Sequence, residues 1–359
     1  MTDAAERVTK ITSKFQRRSE PSRLWQALSI PVALGAALAL SSVLIHAAGA
    51  DIAQALAAMF QGAFGDWNAL LETLVQATPL VFTGLAATVA FRARIWNIGV
   101  EGQLVAGALA AYWASVTFSG LSRIALIPTV LFAATLGGAL WGMIPGYLKV
   151  KFGADEIIVT VLLNYVIQYL QSFLLSGPWR DPAAFFIQTL RLPAAARLPL
   201  LFAGSRLHLG FVIALIVVVV TYVLLWKTPL GYEIRAIGYR PNAARHKGID
   251  VAKTIVLVMA ISGAIAGLAG GGELFGIHQR VKVESFTGLG FSGILVALLG
   301  RLHPAGVVVA AIFFGALVNG SSRMQIVTGV PVALVYAIQS VVILFLMAAD
   351  GLSRYRLRR

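Results

Sequence analysis

Asn164 and Gln168 stand four residues apart in the otherwise apolar run 155–175, so a helix there carries both amides on one face, with Tyr165 beside them. Asn97, Glu101 and Gln103 crowd the start of a second apolar run, 98–118. Amides donate and accept hydrogen bonds at once, so such a wall suits a neutral, hydroxyl-rich or heterocyclic solute better than a bare ion. Burying these groups in hydrocarbon is expensive unless each faces a cavity or a partner. Two readings follow for Asn164 and Gln168: contact with a passing solute, or hydrogen bonds that bridge neighbouring helices. For Glu101 the choice lies between solute contact and an ion pair with Arg92 or Arg94. Glu156, opening the run at 155–175, suits the positive end of a helix. Glu273 and Glu284, on either side of Arg280 and Lys282, read as a solvated face.

The stretch 227–253 offers charge instead. Lys227, Arg235, Arg240, Arg245, Lys247 and Lys253 stand there against only Glu233 and Asp250. Such a segment cannot sit in lipid, and the bias of basic residues towards the cytoplasm places it on that side. Thr228 reads as the cap of a helix beginning at Pro229, with Gly238 as its stop. A second short helix, from Pro241 to Gly248, is marked the same way. Two short helices with defined ends form a docking surface for a cytosolic protein.

No catalytic constellation accompanies these residues. Gly288, Gly290 and Gly293 satisfy the G-x-G-x-x-G pattern, but no strand precedes them and no acid follows about 20 residues later. They read as close helix packing. Walker A, H-E-x-x-H and G-x-S-x-G sequences do not occur. His46, His208, His246, His278 and His303 lack metal-ligand spacing. The absence of cysteine excludes disulfides, thiol nucleophiles and thiolate metal sites. The expectation is a chain with no catalytic residue and no metal, which hydrolyses no ATP by itself.

Composition says what must position these groups. At 58% hydrophobic and 12% charged over 359 residues, the chain has more apolar surface than one soluble core could bury. The class is therefore an all-α polytopic membrane protein. The net charge of +14 gathers in candidate cytosolic segments, which favours anionic lipid and a protein partner over nucleic acid. Spans of about 20 residues fall near 24–48, 67–91, 98–118, 124–148, 155–175, 207–226, 254–272, 286–302, 307–320 and 332–349. The stretch with Asp51 and Asp66 becomes an outer loop, and 177–206 a longer, ordered one. Basic tails at 1–23 and 350–359 flank the membrane body, 24–349, and both lie inside only if the number of crossings is even. The run 286–302 reads as a short span or a re-entrant half-helix; counting it gives ten crossings.

An internal echo fits that count. Gly99, Gly102, Leu104, Val105 and Ala106 recur at constant offset as Gly290, Gly293, Leu295, Val296 and Ala297. With the first copy running outward and the second inward, segments two to five and seven to ten form an inverted repeat. Chance agreement among small, common residues is the other reading. Gly138, Gly142 and Gly146, and again Gly263, Gly267 and Gly271, lay smooth stripes on which a neighbouring backbone can approach. Gly270, Gly271 and Gly272 together offer a soft point where an outer gate could bend.

Four stretches carry a resemblance: Asn97 to Gln103 (NIGVEGQ) within 78–110, EIIVTVLLNY at 156–165, GPWRDP at 177–182 and TPLGYEIRAIGYRPNAARHKGID at 228–250. The chain, beyond its N-terminal tail, resembles the permease subunits of bacterial ABC importers for nucleosides and simple sugars. These belong to the branched-chain amino acid and ribose permease superfamily, and the purine-nucleoside permeases are most similar. The resemblance implies a type II importer fold in which 227–253 is the element that couples to a separate ATPase. Carried over onto this chain, Gly231, Arg235, Ala236, Gly238, Ala244, Arg245 and Gly248 would shape that element, with Glu233 and Lys247 among them. It also implies partners: a cytosolic ATP-binding subunit that carries ATP and Mg, a second permease, and an extracytoplasmic solute-binding lipoprotein. The chain itself would need no cofactor, and would sit in the bacterial inner membrane with both termini cytosolic. A stand-alone ion-coupled secondary transporter is the alternative, since such proteins also use inverted repeats and mid-membrane sites. They usually need an acid deep in the membrane, whereas the carboxylates here lie mostly at span ends.

Overall fold

The structure, a computed structural model, describes residues 15–17, 23–353 and 355–357. The basic tails expected at 1–23 and 350–359 therefore lie largely outside the described residues. What is described of them includes a short antiparallel pairing of β1 (Phe15–Arg17) with β2 (Tyr355–Leu357). The rest is helical, and the chain divides into two units, Met1–Gly62 with Leu317–Arg359, and Ala63–Ala316.

The first unit is built from α1 (Arg23–Ala47), α2 (Ile52–Phe64), the end of α12 (Pro304–Thr328) and α13 (Val332–Ser353). Its core joins Ile45, Ala55, Ala58, Met324, Val335 and Ile338. Helix α2 corrects the expected outer loop after the first span. Asp51 caps it by accepting from Gln54 N at 2.6 Å, and its thirteen residues reach only about 20 Å, too little to cross a hydrocarbon core of roughly 30 Å. A search for full-length spans passes over such a helix; the capping aspartate was its sequence signal.

The second unit holds α3 (Trp67–Arg92), α4 (Val100–Thr117), α5 (Arg123–Phe152), α6 (Glu156–Ser176), α7 (Leu209–Lys227), α8 (Pro229–Tyr239), α9 (Pro241–His246), α10 (Val251–Glu273), α11 (Leu289–Leu299) and the beginning of α12. Helices α3 and α4 are buried nearly all round, which is why they show no apolar stripe. Helix α5 buries every fourth residue, Leu126, Val130, Ala134, Gly138, Gly142 and Gly146, and leaves Phe132, Leu140 and Tyr147 exposed. An outward face that apolar has lipid as its solvent.

The glycine stripes do what their spacing predicts. Gly138 lies on the Gly263 carbonyl, Gly142 on that of Met259, and Gly267 on that of Ala134, so a methyl at any of them would strike backbone. The expected soft point at 270–272 is instead packed helix, with Gly270 against the Leu104 carbonyl, and α10 continues through it into a π-helical turn, Leu274–His278.

By length and apolarity, seven of the described helices can cross a membrane: α3, α5, α6, α7, α10 with its π turn, α12 and α13. The protein is polytopic. Helix α11 has only eleven residues. It runs beside the second half of α3, with Gly293 packed on Thr83 and the turn after it meeting Arg92, so it begins about midway along α3. The loop 177–206 is ordered by a ladder to the chain after α10. Thr189 N donates to Val281 O at 3.1 Å, Leu192 N to Gln279 O at 3.0 Å and Leu198 N to Phe275 O at 3.0 Å.

Candidate functional site

After Arg92 the chain reverses through 93–99 before α4 begins, and Asn97 holds this break. Its Oδ1 accepts from Gly99 N at 3.0 Å and from Gln103 Nε2 at 3.1 Å. Its Nδ2 donates to Gln103 Oε1 and to Ser262 Oγ, both at 2.9 Å. Ser262 Oγ donates onward to Ala86 O at 2.7 Å. One buried amide thus ties α3, α4 and α10 with all its hydrogen-bonding capacity used. Asn164 of α6 braces the same break from the other side, accepting from Gly102 N at 2.8 Å and donating to Ile98 O at 3.0 Å.

Glu101 reaches across to a second break. Its carboxylate accepts from Gly288 N at 2.5 Å and Gly290 N at 2.6 Å, and so caps the N-terminus of α11. The unpaired N–H groups and positive dipole end there are a natural seat for an anion. The expected pairing of Glu101 with Arg92 or Arg94 does not form, because two charge-assisted bonds to a buried helix end outweigh a boundary ion pair. Arg92 Nε instead donates to Leu302 O at 2.8 Å, and its guanidinium lies 4.9 Å from the Trp226 ring centroid. The repeated glycines mark both breaks. Gly99 and Gly102 press on Thr160 and Asn164, while Gly290 and Gly293 press on Glu101 and Thr83.

Of the six residues expected to contact solute, the structure brings together Asn97, Glu101, Gln103 and Asn164. Tyr165 is 55% exposed, round the helix from the buried face on which Asn164 lies, and Gln168 is half-buried at the edge of that face. At the start of α6, Glu156 sits at the dipole and also pairs with Lys149 Nζ at 2.5 Å. Glu284 is exposed, but Glu273 is buried. Arg280 pairs with Asp181 at 3.0 Å, so the expected solvated face of 273–284 holds only in part. The sequence signal for Glu273 was its place at the end of an apolar span, the most costly position for a carboxylate among that group.

At the Arg92 end of α3, Thr228 Oγ1 accepts from Gly231 N at 3.1 Å and Pro229 opens α8, as the residue types require. Gly238 does not stop this helix. It lies inside α8 against the Arg92 carbonyl, where a side chain would collide; the helix ends at Tyr239 because Pro241 forces Arg240 to be extended. Helix α9 ends at His246, and Gly248 takes φ +84° beyond it. Ile237, Ala244 and Val251 form the small core of this hairpin, with Ala236 against it. Glu233 accepts from Thr254 Oγ1 at 3.3 Å, locking α8 to the start of α10. Arg235 is half-buried, and Arg240, Arg245 and Lys247 are exposed. Tyr232 and Tyr239 stand exposed among these cations; exposed tyrosines on a short amphipathic helix were the signal overlooked.

Residues 69–347 match the family described as branched-chain amino acid transport system / permease component. The chain belongs to that family. As a permease component it is part of a transporter and not an enzyme. It is 39% identical over 352 residues to the glucose ABC transporter permease protein TsgB13 of Haloferax volcanii, covering 95% of this chain and 92% of the other. Against the guanosine ABC transporter permease protein NupP of Bacillus subtilis the identity is 38% over 333 residues, 91% of this chain and 94% of the relative. The nucleoside ABC transporter permease protein NupB of Lactococcus lactis is 33% identical over 297 residues, 80% and 81% of the two chains. No solved structure matches the permease.

Proposed function

We propose that this permease forms the path of an ATP-driven importer for nucleosides in a bacterial cytoplasmic membrane, with simple sugars the second choice of cargo. The names of relatives that cover most of the chain support the substrate class. The observation that carries the mechanism is Arg92. Its carbonyl seats α8 through Gly238, while its side chain holds the turn after α11, so the basic hairpin and the broken helix share one anchor. A separate ATPase, which binds ATP and Mg, docks on Arg235, Arg245 and Lys247, with Gly231, Glu233, Ala236, Gly238 and Gly248 giving the lever its shape. Closure of the ATPase pair moves the hairpin, and through Arg92 moves α3 and α11 against the junction.

In this reading the Arg92 end faces the cytosol, both termini lie there, and ten crossings result when α1, α4 and the segment containing α11 are counted. Reciprocal packing supports an inverted repeat: α4 lies on α10 as α11 lies on α3. Asn97, Glu101, Gln103 and Asn164 brace the two half-helix N-termini that border the path. Tyr165 and Gln168 join it where a second permease, identical or related, closes over α6. A solute-binding lipoprotein delivers cargo to the 177–206 side, and lipid surrounds α5 to α7.

Uptake of labelled guanosine into vesicles, with and without internal ATP, tests the proposal. ATP-dependent accumulation that requires the partner ATPase is expected; accumulation by this chain alone, driven by an ion gradient, would overturn it.

A further inference from the structure

Five polar side chains meet at the Trp67 end of α3, none of them part of the junction or the hairpin. Glu72 and Gln76 lie one turn apart on α3, and Gln76 Nε2 donates to Glu72 Oε1 at 3.3 Å. Arg206 engages Glu72 through Nε at 3.0 Å and through a second guanidinium nitrogen. Glu273, at the end of α10, is 8% exposed, and His278 Nε2 stands 3.7 Å from its carboxylate. Among the described residues no N–H or O–H group donates a hydrogen bond to its carboxylate. Ile277, in the turn after Glu273, packs against the cluster of Leu71, Val75 and Leu207, which brings the end of α10 to the Glu72 end of α3.

The backbone is shaped for this meeting. Gln279 N donates to Leu274 O at 2.8 Å, the i→i+5 bond of a π turn, a widening found often at functional sites. The wider turn brings Glu273 and His278, five apart, towards one face. Gly276 lets the turn lie flat on the His208 imidazole, where a methyl would collide. Leu71, Val75 and Leu207 form the apolar floor, with Ile277 and Phe211 against it.

A nearly buried carboxyl whose imidazole partner stands at 3.7 Å, beyond hydrogen-bond distance, keeps capacity for a group from outside the chain. Acceptors outnumber donors here, because Arg206 is committed to Glu72. We propose that Glu72, Gln76, Glu273 and His278 form a recognition station for a neutral solute that presents paired donors, such as the amino and imino edge of a purine or a vicinal diol. Arg206, held by Glu72, offers no free cation to a phosphate, so the station favours a nucleoside over its phosphorylated form. The inference rests on the transport reading above and adds where selection takes place.

The test uses the complete transporter, with its ATPase and solute-binding protein, in vesicles, with guanosine and guanosine monophosphate as probes. Glu273→Gln and, separately, Gln76→Leu raise the KM for guanosine about tenfold while the maximal rate changes far less. A merely structural role would lower the amount of assembled complex, read by co-purification of the ATPase, and leave KM alone. Wild-type KM in both variants overturns the station while leaving the transport reading intact. Should Glu273→Gln fail to assemble, the KM of Gln76→Leu decides. Absence of ATP-dependent uptake of guanosine and of glucose by the wild type defeats the transport reading, and the station with it.

Discussion

At the junction around Glu101 the polar side chains of Asn97, Gln103, Asn164 and Ser262 turn inward to partners, whereas on the hairpin of α8 and α9 the cations Arg240, Arg245 and Lys247 turn outward. Among the described residues no carboxylate pairs with those three. Both regions are rich in polar groups for a membrane protein, yet they solve different problems. The first lies where water is scarce, so an unmet donor or acceptor is costly and the groups consume one another. The second borders water, where an unpaired cation costs little and remains available to a partner. Substitutions at the junction should therefore be read as stability, and substitutions on the hairpin as association.

The largest effect is expected at Gly290, whose missing side chain lets α11 rest on the backbone of Glu101. Gly290→Val should cost about 3 kcal/mol or more through overpacking that backbone cannot relieve. The measure is the yield of monodisperse protein after detergent extraction, and a wild-type yield would show the two helix breaks to be less tightly joined than this.

Glu101→Leu comes next. It strands the Gly288 and Gly290 amides at about 1–3 kcal/mol each, enough to lower the unfolding temperature by roughly 5 °C or more. Asn164→Leu removes the partners of Gly102 N and Ile98 O and should cost about 1–3 kcal/mol. From the sequence alone this substitution would be expected to affect passage and leave the fold untouched. Thermal unfolding in detergent separates the two expectations, and no shift for either variant would mean that the junction polar groups exchange their partners for water.

The hairpin should behave in the opposite way. Arg235→Glu combined with Arg245→Glu should weaken ATPase association about tenfold or more, since like charge on a docking face repels its partner. Its unfolding temperature should fall by less than that of the junction variants, since Arg245 is exposed and Arg235 only half-buried. Unchanged recovery of the ATPase in a pull-down would remove the hairpin from the coupling path.

The smallest effects belong to α6. Tyr165→Phe and Gln168→Leu alter an exposed and a half-buried side chain, and each should change thermal stability by less than about 0.5 kcal/mol. A change in guanosine uptake at constant stability would sharpen the comparison, by assigning that face to a path completed by the second permease.

Much of this was legible in the residues. Thr228 and Pro229 opened a helix where caps predict one, the i, i+4 glycines marked close packing between α5 and α10, and the glycines echoed at Gly99, Gly102, Gly290 and Gly293 fall at the two helix breaks. Other parts were not legible, because they depend on contacts between residues remote in sequence. Glu101 had two basic neighbours in sequence, and nothing local indicated that the start of α11, about 190 positions on, offered it better donors. Gly238 carried the signature of a helix stop, but its role was set by the end of α3 arriving at its surface. Glu273 read as solvated because Arg280 and Lys282 follow it in the same outer stretch, while the fold buries it where α10 runs on into the π turn.

The sequence by itself determined the solvent of this protein, its class, its kinship and the ends of most helices, because these follow from apolar run length, charge bias and local capping, all of which act within a few turns of chain. Only the tertiary structure decided which polar groups meet. In a hydrocarbon solvent a donor or acceptor takes whichever partner the packing of helices brings within about 3 Å, and that choice is made by the whole bundle at once.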